Sequence, residues 1–158
     1  LFIANPNNPT GTIVTKSELD ELLDGLPKHV IVVLDQAYLE YVESADSPFG
    51  LDYINHYNVV VLQTFSKAYA LAGTRVGYGI ARPELIGYLQ QVRGPFNVNM
   101  VAQAGAIASL DDREQITRAF ESNNAGKRQL YAAFEELGLE YVPSEANFVL
   151  VDCGRDAK

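Results

Sequence analysis

Three short apolar runs, each followed at once by polar residues, constrain the fold of this chain more than any other feature. The runs end at Ala4, Leu34 and Leu62, and they are continuous rather than alternating in hydrophobicity. Continuous short runs of this kind are typical of strands that are covered on both faces of a parallel sheet. The pattern therefore predicts an α/β protein with these three strands in parallel.

The segments between and after these runs carry helix signals. Thr15 and Glu18 form a capping-box pattern, after which leucines recur on one helical face: Leu19, Leu22, Leu23 and Leu26. Residues 38–57 are polar, aromatic and rich in turn residues, so we assign no element there. Residues 75–81 fit a fourth strand, and Pro83 then lies where a helix begins.

The last third of the chain is predicted to open with one long helix over residues 112–137. Its apolar positions recur at helical spacing, and Gly138 is a natural stop: Ile116, Ala119, Phe120, Leu130, Phe134 and Leu137. Two short extended segments follow, at 140–142 and 147–151. This change of pattern indicates the opening of a second, smaller domain.

Polar residues follow each of the three predicted parallel strands, at positions 5–11, 35–38 and 63–67. In an open parallel sheet, ligands bind beyond the carboxyl ends of the strands. We therefore expect these three segments to converge on one rim of the sheet and to form a binding site there.

These segments resemble the marks of the class I and II aminotransferases, which depend on pyridoxal phosphate (PLP). The marks are an Asn-Pro-Thr-Gly turn at 8–11, an Asp-x-Ala-Tyr at 35–38, and Ser66-Lys67 with Arg75 downstream. Each motif alone is weak, but their order and spacing form a strong signal over essentially the whole chain.

The resemblance implies part of the large domain of PLP fold type I, with three layers around a mostly parallel sheet. We expect residues 1–110 to form this partial cofactor-binding domain. Residues 111–158 would supply the interdomain helix and the beginning of a small α+β carboxyl-terminal domain.

The resemblance also implies roles for individual residues. Lys67 would form a Schiff base with the cofactor aldehyde, which requires an amine with an ordinary pKa of about 10.4 to lose its proton. Asp35 would face the pyridine nitrogen and keep it protonated, so that the ring can accept electrons.

The remaining cofactor contacts implied by the resemblance involve five side chains. Asn8 and Tyr38 would hydrogen-bond the ring hydroxyl oxygen, whereas Ser66 and Arg75 would hold the phosphate, the arginine as a fixed fork of donors. Thr64 is a further phosphate candidate.

Residues 68–78 and 93–99 most resemble the histidinol-phosphate aminotransferase branch of the family. The implied reaction transfers an amino group between L-glutamate and imidazole-acetol phosphate in histidine biosynthesis, in a homodimer. Three alternatives stay open: another class I or II aminotransferase acting on aromatic amino acids, a PLP-dependent threonine-phosphate decarboxylase, and a non-enzymatic domain that keeps the fold.

Composition argues against several other classes of function. The chain carries 12 basic and 20 acidic side chains, a net charge of −8 that repels nucleic acid and anionic membranes. No apolar run approaches the ~20 residues that span a bilayer. Cys153 is the only cysteine, interpreted as a small buried residue, so we expect a cytoplasmic protein without disulfides. His29 and His56 lack neighbouring ligand residues, and we predict no metal site.

The chain begins inside one apolar run and stops soon after another, so we expect it to be a piece of a longer protein. By resemblance, a glycine-rich phosphate segment and a partner-subunit tyrosine would precede Leu1, and the arginine that binds substrate carboxylate would follow Lys158. We predict that residues 1–158 alone show little or no glutamate-dependent transamination. Robust turnover by this polypeptide would contradict the expectation.

Overall fold

The computed structural model describes residues 1–155, which form a four-stranded sheet, four helices and a small two-stranded sheet. The strands of the larger sheet are β1 (Phe2–Ala4), β2 (Val32–Asp35), β3 (Val59–Thr64) and β4 (Gly77–Ile80), in that order across the sheet. The helices are α1 (Lys16–Gly25), α2 (Pro83–Val92), α3 (Met100–Leu110) and α4 (Arg113–Leu137). The smaller sheet pairs β5 (Tyr141–Val142) with β6 (Leu150–Val151).

The first three strands pair in parallel, as the apolar runs predicted. Ala4 aligns with Asp35, and Asp35 aligns with Leu62, so the carboxyl ends of β1, β2 and β3 lie side by side. The fourth strand exists but is shorter than residues 75–81, and it runs antiparallel to β3. Hydrophobic pattern alone does not set strand direction.

Helix α1 covers one face of this sheet through leucines at helical spacing. The predicted capping box is present, because the Thr15 hydroxyl accepts from the Glu18 amide while the Glu18 carboxylate accepts from the Thr15 amide. Leu19 and Leu23 pack against a core that contains Val32, Leu34, Tyr53, Val59 and Val61. Leu22, predicted on the same face, is instead 36% exposed.

Helix α4 matches its predicted range closely. Asp112 caps it by accepting from the Gln115 amide, and Gly138 ends it in the left-handed region at a φ of 66°. Leu137, expected on the apolar face, is 70% exposed. No helix within residues 1–155 combines the length and the hydropathy that crossing a membrane requires.

Three features of the structure were either left open by the sequence or differ from what it predicted. Residues 38–57, which received no assignment, contain short 3-10 turns at Leu39–Tyr41 and Gly50–Asp52. Helix α3 was not predicted at all. Cys153, expected to be buried, is exposed.

Gly11 packs the 8–11 turn closely against Ser144 and Glu145, which lie in the loop between β5 and β6. Its φ is 74°, and a Cβ placed there would lie 2.1 Å from the Ser144 Oγ and 3.0 Å from the Ser144 Cα. The Gly11 carbonyl also accepts from the Glu145 amide at 2.8 Å. Only glycine satisfies both the backbone conformation and this close approach.

We therefore expect Gly11→Ala to lower the free energy of unfolding by about 2–4 kcal/mol, because left-handed strain and overpacking add. Chemical denaturation measures the change. The matched control is Gly126→Ala on α4, where an added Cβ meets nothing within 4 Å. That substitution should be neutral or stabilise by up to about 1 kcal/mol. Equal effects of the two substitutions would contradict the close approach at Gly11.

Candidate functional site

A hollow of about 330 Å³ opens at the carboxyl ends of β2 and β3. We call it the rim hollow, and its lining residues are Asp35, Ala37, Leu62, Gln63, Thr64, Ser66, Lys67 and Arg75. Five of the seven predicted site residues line it, the exceptions being Asn8 and Tyr38. Its position agrees with the rule that ligands bind beyond the carboxyl ends of parallel strands.

Asp35 reaches the rim hollow because it is the last residue of β2. Neighbouring strands hold its backbone on both sides, since the Asp35 carbonyl accepts from the Asn5 amide at 2.8 Å and the Gln36 amide donates to the Leu62 carbonyl at 2.9 Å. The Ala37 amide donates to Asp35 Oδ1 at 3.1 Å. This hydrogen bond fixes the orientation of the carboxylate at the end of β2.

The loop between β3 and β4 supplies the other side of the rim hollow. Thr64 ends β3, and its hydroxyl accepts from the Ser66 amide at 3.1 Å, which folds the chain back toward the strand end. Arg75 closes the loop in the left-handed region, with a φ of 58°. Its guanidinium is exposed and donates to the Ala72 carbonyl at 2.8 Å.

Lys67 connects the rim hollow to the two predicted residues that lie outside its lining. The Lys67 Nζ lies 5.0 Å from the centroid of the Tyr38 ring, within the range of a cation–π contact. The Tyr38 hydroxyl accepts from Asn8 Nδ2 at 3.0 Å. Asn8, Tyr38 and Lys67 thus form one chain of contacts that runs up to the hollow.

Residues 144–148 contact Tyr38 and are themselves held by α4. The sequence did not predict this role. The Phe148 ring meets the buried Tyr38 ring edge to face, with centroids 5.1 Å apart. Lys127 of α4 donates to the Ser144 carbonyl at 2.8 Å, and Asn123 donates to the Ala146 carbonyl at 3.1 Å.

Burial perturbs several titratable groups beside the site. Desolvation raises the pKa of Glu40 above its ordinary value of 4.5, and Glu40 follows Tyr38 by two residues in a 3-10 turn. Burial also raises the pKa of Tyr69 and of Tyr78, with the Glu40 charge adding to both shifts. The Tyr78 hydroxyl donates to Gln63 Oε1 in the wall of the rim hollow.

A larger hollow of about 520 Å³ lies at the opposite edge of the sheet, near the amino ends of β2 and β3. Leu23, His56 and Arg82 are among its lining residues, and none of the predicted site residues is. In the part of the chain that the structure describes, no three His, Cys, Asp or Glu side chains cluster to hold a metal ion.

Because of the raised pKa of Glu40, the free energy of unfolding should depend on pH. A carboxyl whose pKa is higher in the folded protein holds its proton more tightly there, so the folded state loses stability as pH rises from 4.5 through the raised value. We expect Glu40→Gln to increase the free energy of unfolding at pH 7, and the gain to vanish below pH 4.5. Denaturation across this pH range, with Glu121→Gln on the exposed face of α4 as control, measures the effect. A loss of stability at pH 7 would contradict it.

Comparison with known proteins agrees with this geometry. The family model described as aminotransferase class I and II matches residues 1–158. A curated relative, histidinol-phosphate aminotransferase 2 from Pseudomonas fluorescens, is 52% identical over 99% of this chain, which spans 43% of that relative's length.

Two solved structures share the fold. Histidinol-phosphate aminotransferase from Sinorhizobium meliloti in complex with pyridoxal-5'-phosphate superposes with a TM-score of 0.90 at 33% identity, covering 98% of this chain and 42% of that one. L-threonine-O-3-phosphate decarboxylase from Porphyromonas gingivalis gives 0.82 at 26% identity, covering 98% and 47%. The fold is therefore part of PLP fold type I, and the chain belongs to the class I and II aminotransferase family.

Proposed function

We propose that this chain forms the PLP-binding part of an aminotransferase that transfers an amino group between L-glutamate and imidazole-acetol phosphate. The observation that carries the proposal is that Asp35 and Lys67 line one hollow, together with Ser66 and Arg75. The curated relatives named histidinol-phosphate aminotransferase, at 52% identity, support the choice of substrate.

The residues of the rim hollow fit the chemistry of PLP. When bound, this cofactor supplies an aldehyde that condenses with amines and a ring that accepts electrons from a carbanion. The hollow offers an amine, a carboxylate, an arginine and hydroxyl groups within one space of about 330 Å³. A volume of this size lies in the ordinary range for small-molecule sites.

Lys67 is the proposed attachment residue and proton carrier. It is half-buried, and its Nζ lies over the Tyr38 ring. Lys67 also lines the rim hollow. The Lys67 amine would hold the cofactor through its aldehyde, and when not bonded to it would be placed to accept and return a proton.

Asp35 is proposed to hold the proton on the ring nitrogen. At about 3 Å and an effective dielectric of about 20, a carboxylate and a protonated ring nitrogen attract by roughly 5 kcal/mol, an upper bound that desolvation reduces. Even a fraction of this energy moves a pKa by more than one unit. Asp35 would therefore favour the protonated ring nitrogen when the cofactor is bound.

Ser66, Thr64 and Arg75, which line the same hollow, would hold the phosphate. The Ser66 hydroxyl can donate to a phosphate oxygen. The Thr64 hydroxyl, which donates to the Val76 carbonyl at 3.5 Å, and the exposed Arg75 guanidinium, which donates to the Ala72 carbonyl, would exchange these bonds for a charged oxygen. Asn8 and Tyr38, already bonded to each other, would share their donors with the ring oxygen.

We also propose the division into residues 1–110 as cofactor-binding domain and 111–158 as interdomain helix and start of a smaller domain. Its support is that the four-stranded sheet lies in the first range and the two-stranded sheet in the second.

We further propose that the full-length polypeptide is a cytoplasmic homodimer. Large apolar side chains on and between α2 and α3 favour a covered surface there: Val92, Phe96, Met100 and Val101.

A second candidate is a PLP-dependent decarboxylase that acts on threonine phosphate. The likeness to the Porphyromonas gingivalis decarboxylase, at 26% identity, favours it less than the 52% relatives favour transamination. Assay of the full-length natural polypeptide with histidinol phosphate and with threonine phosphate separates the two, because only decarboxylation releases carbon dioxide.

We predict that the full-length polypeptide binds PLP with absorbance above ~400 nm, and that borohydride reduction fixes the cofactor on Lys67. Lys67→Ala should abolish the adduct and reduce turnover by more than about a thousandfold. Lys28→Ala, at an exposed lysine far from the rim hollow, serves as the control and should retain both. An adduct that persists in Lys67→Ala would sink the assignment.

A further inference from the structure

The loop that carries Lys67 is tied to helix α4 by one side chain. Gln115 Nε2 donates to the Ala68 carbonyl at 3.1 Å, although 47 residues separate the two. Ala68 directly follows Lys67 and is only 1% exposed. A buried carbonyl requires a donor, and here the donor comes from outside the loop.

The loop itself is held in an unusual conformation. Ala70 has a φ of 58°, a left-handed conformation that alanine rarely adopts. Its amide donates to the Lys67 carbonyl at 2.9 Å, and the Leu71 amide donates to the Phe65 carbonyl at 2.9 Å. Such a conformation persists only where surrounding contacts fix it.

Gln115 is well placed to fix it. Its own amide is capped by Asp112 Oδ1 at 3.0 Å, and its Oε1 accepts from Arg118 Nη2 at 3.2 Å. The side-chain amide is therefore oriented with its NH₂ group toward the loop. Ile116, the next residue, and Ala119, one turn further along α4, pack against the cluster that contains Ala68 and Tyr38.

We propose that Gln115 is a positioning residue that tethers the Lys67 loop to α4 and thereby sets the place of the Lys67 amine. This inference rests on the proposed function for the role of that amine. Because α4 also holds residues 144–146, through Asn123 and Lys127, the helix aligns both the lysine loop and the support of Tyr38.

The direct test is Gln115→Met in the full-length polypeptide. Methionine keeps the length and helix propensity of glutamine but has no donor. Gln129→Met, at an exposed position on the same helix, is the matched control. Hydrogen exchange of the Ala70 and Leu71 amides, measured without cofactor, reports the order of the loop.

We expect the protection of these two amides to fall about five- to tenfold in Gln115→Met and to stay unchanged in Gln129→Met, the size expected for one lost hydrogen bond. With PLP bound, the pH midpoint of the visible absorbance should move by about half to one unit in Gln115→Met only. Cofactor affinity should change much less, since Gln115 lies outside the lining of the rim hollow.

Unchanged protection of Ala70 and Leu71 would overturn the inference, as would an equal loss across the amides of β3, which would indicate a general loss of stability. If Gln115→Met does not fold, Gln115→Ala replaces it, because alanine also lacks the donor, is smaller and has the highest helix propensity. If the unsubstituted protein forms no reducible adduct at Lys67, the proposed function is wrong. A loss of amide protection confined to Ala70 and Leu71 in Gln115→Met would still support the tether in that case.

Discussion

The parallel pairing of β1, β2 and β3 is the constraint on which the site depends. It brings three strand ends to one edge of the sheet, where Asp35 and the Lys67 loop line the same hollow. Buried valines and leucines fix this register, because a slip of one residue would turn every side chain of a strand to the other face. Val61 and Leu34 are 0% and 1% exposed, and such a slip would move their side chains out of the core. A slip of β2 would also turn the Asp35 side chain to the opposite face of the sheet.

Tyr38 links that edge of the sheet to the carboxyl-terminal part of the chain. Its hydroxyl accepts a hydrogen bond from Asn8, and its ring contacts both Lys67 Nζ and the Phe148 ring. Lys127, only 5% exposed, bonds both the Ser144 carbonyl and Glu43, which anchors the supporting segment. A buried ammonium needs such partners, so removing either would cost stability and loosen the support of Tyr38.

Sequence predicted the α/β class, the parallel strands, α1, α2 and α4, because hydrophobic period is a local signal. It also placed seven residues at one rim of the sheet from strand-end chemistry and the family resemblance, and five of them line the rim hollow. It missed α3, whose buried positions are the small residues Ala102 and Ala106 and whose exposed face is equally apolar. Hydrophobic periodicity also does not encode the antiparallel direction of β4, which follows a loop that ends with Arg75 in the left-handed region. The tertiary contacts of Gln115 and Phe148 cross 47 and 110 residues of sequence, a separation at which local pattern carries no information.

The crystal structure of the full-length polypeptide with bound PLP tests the central claim most directly. We expect electron density continuous with Lys67 Nζ, the pyridine nitrogen within hydrogen-bond distance of an Asp35 oxygen, and the phosphate against Ser66 and Arg75. Cofactor bound instead in the hollow of about 520 Å³ near His56 and Arg82, or attached to another lysine, would contradict it.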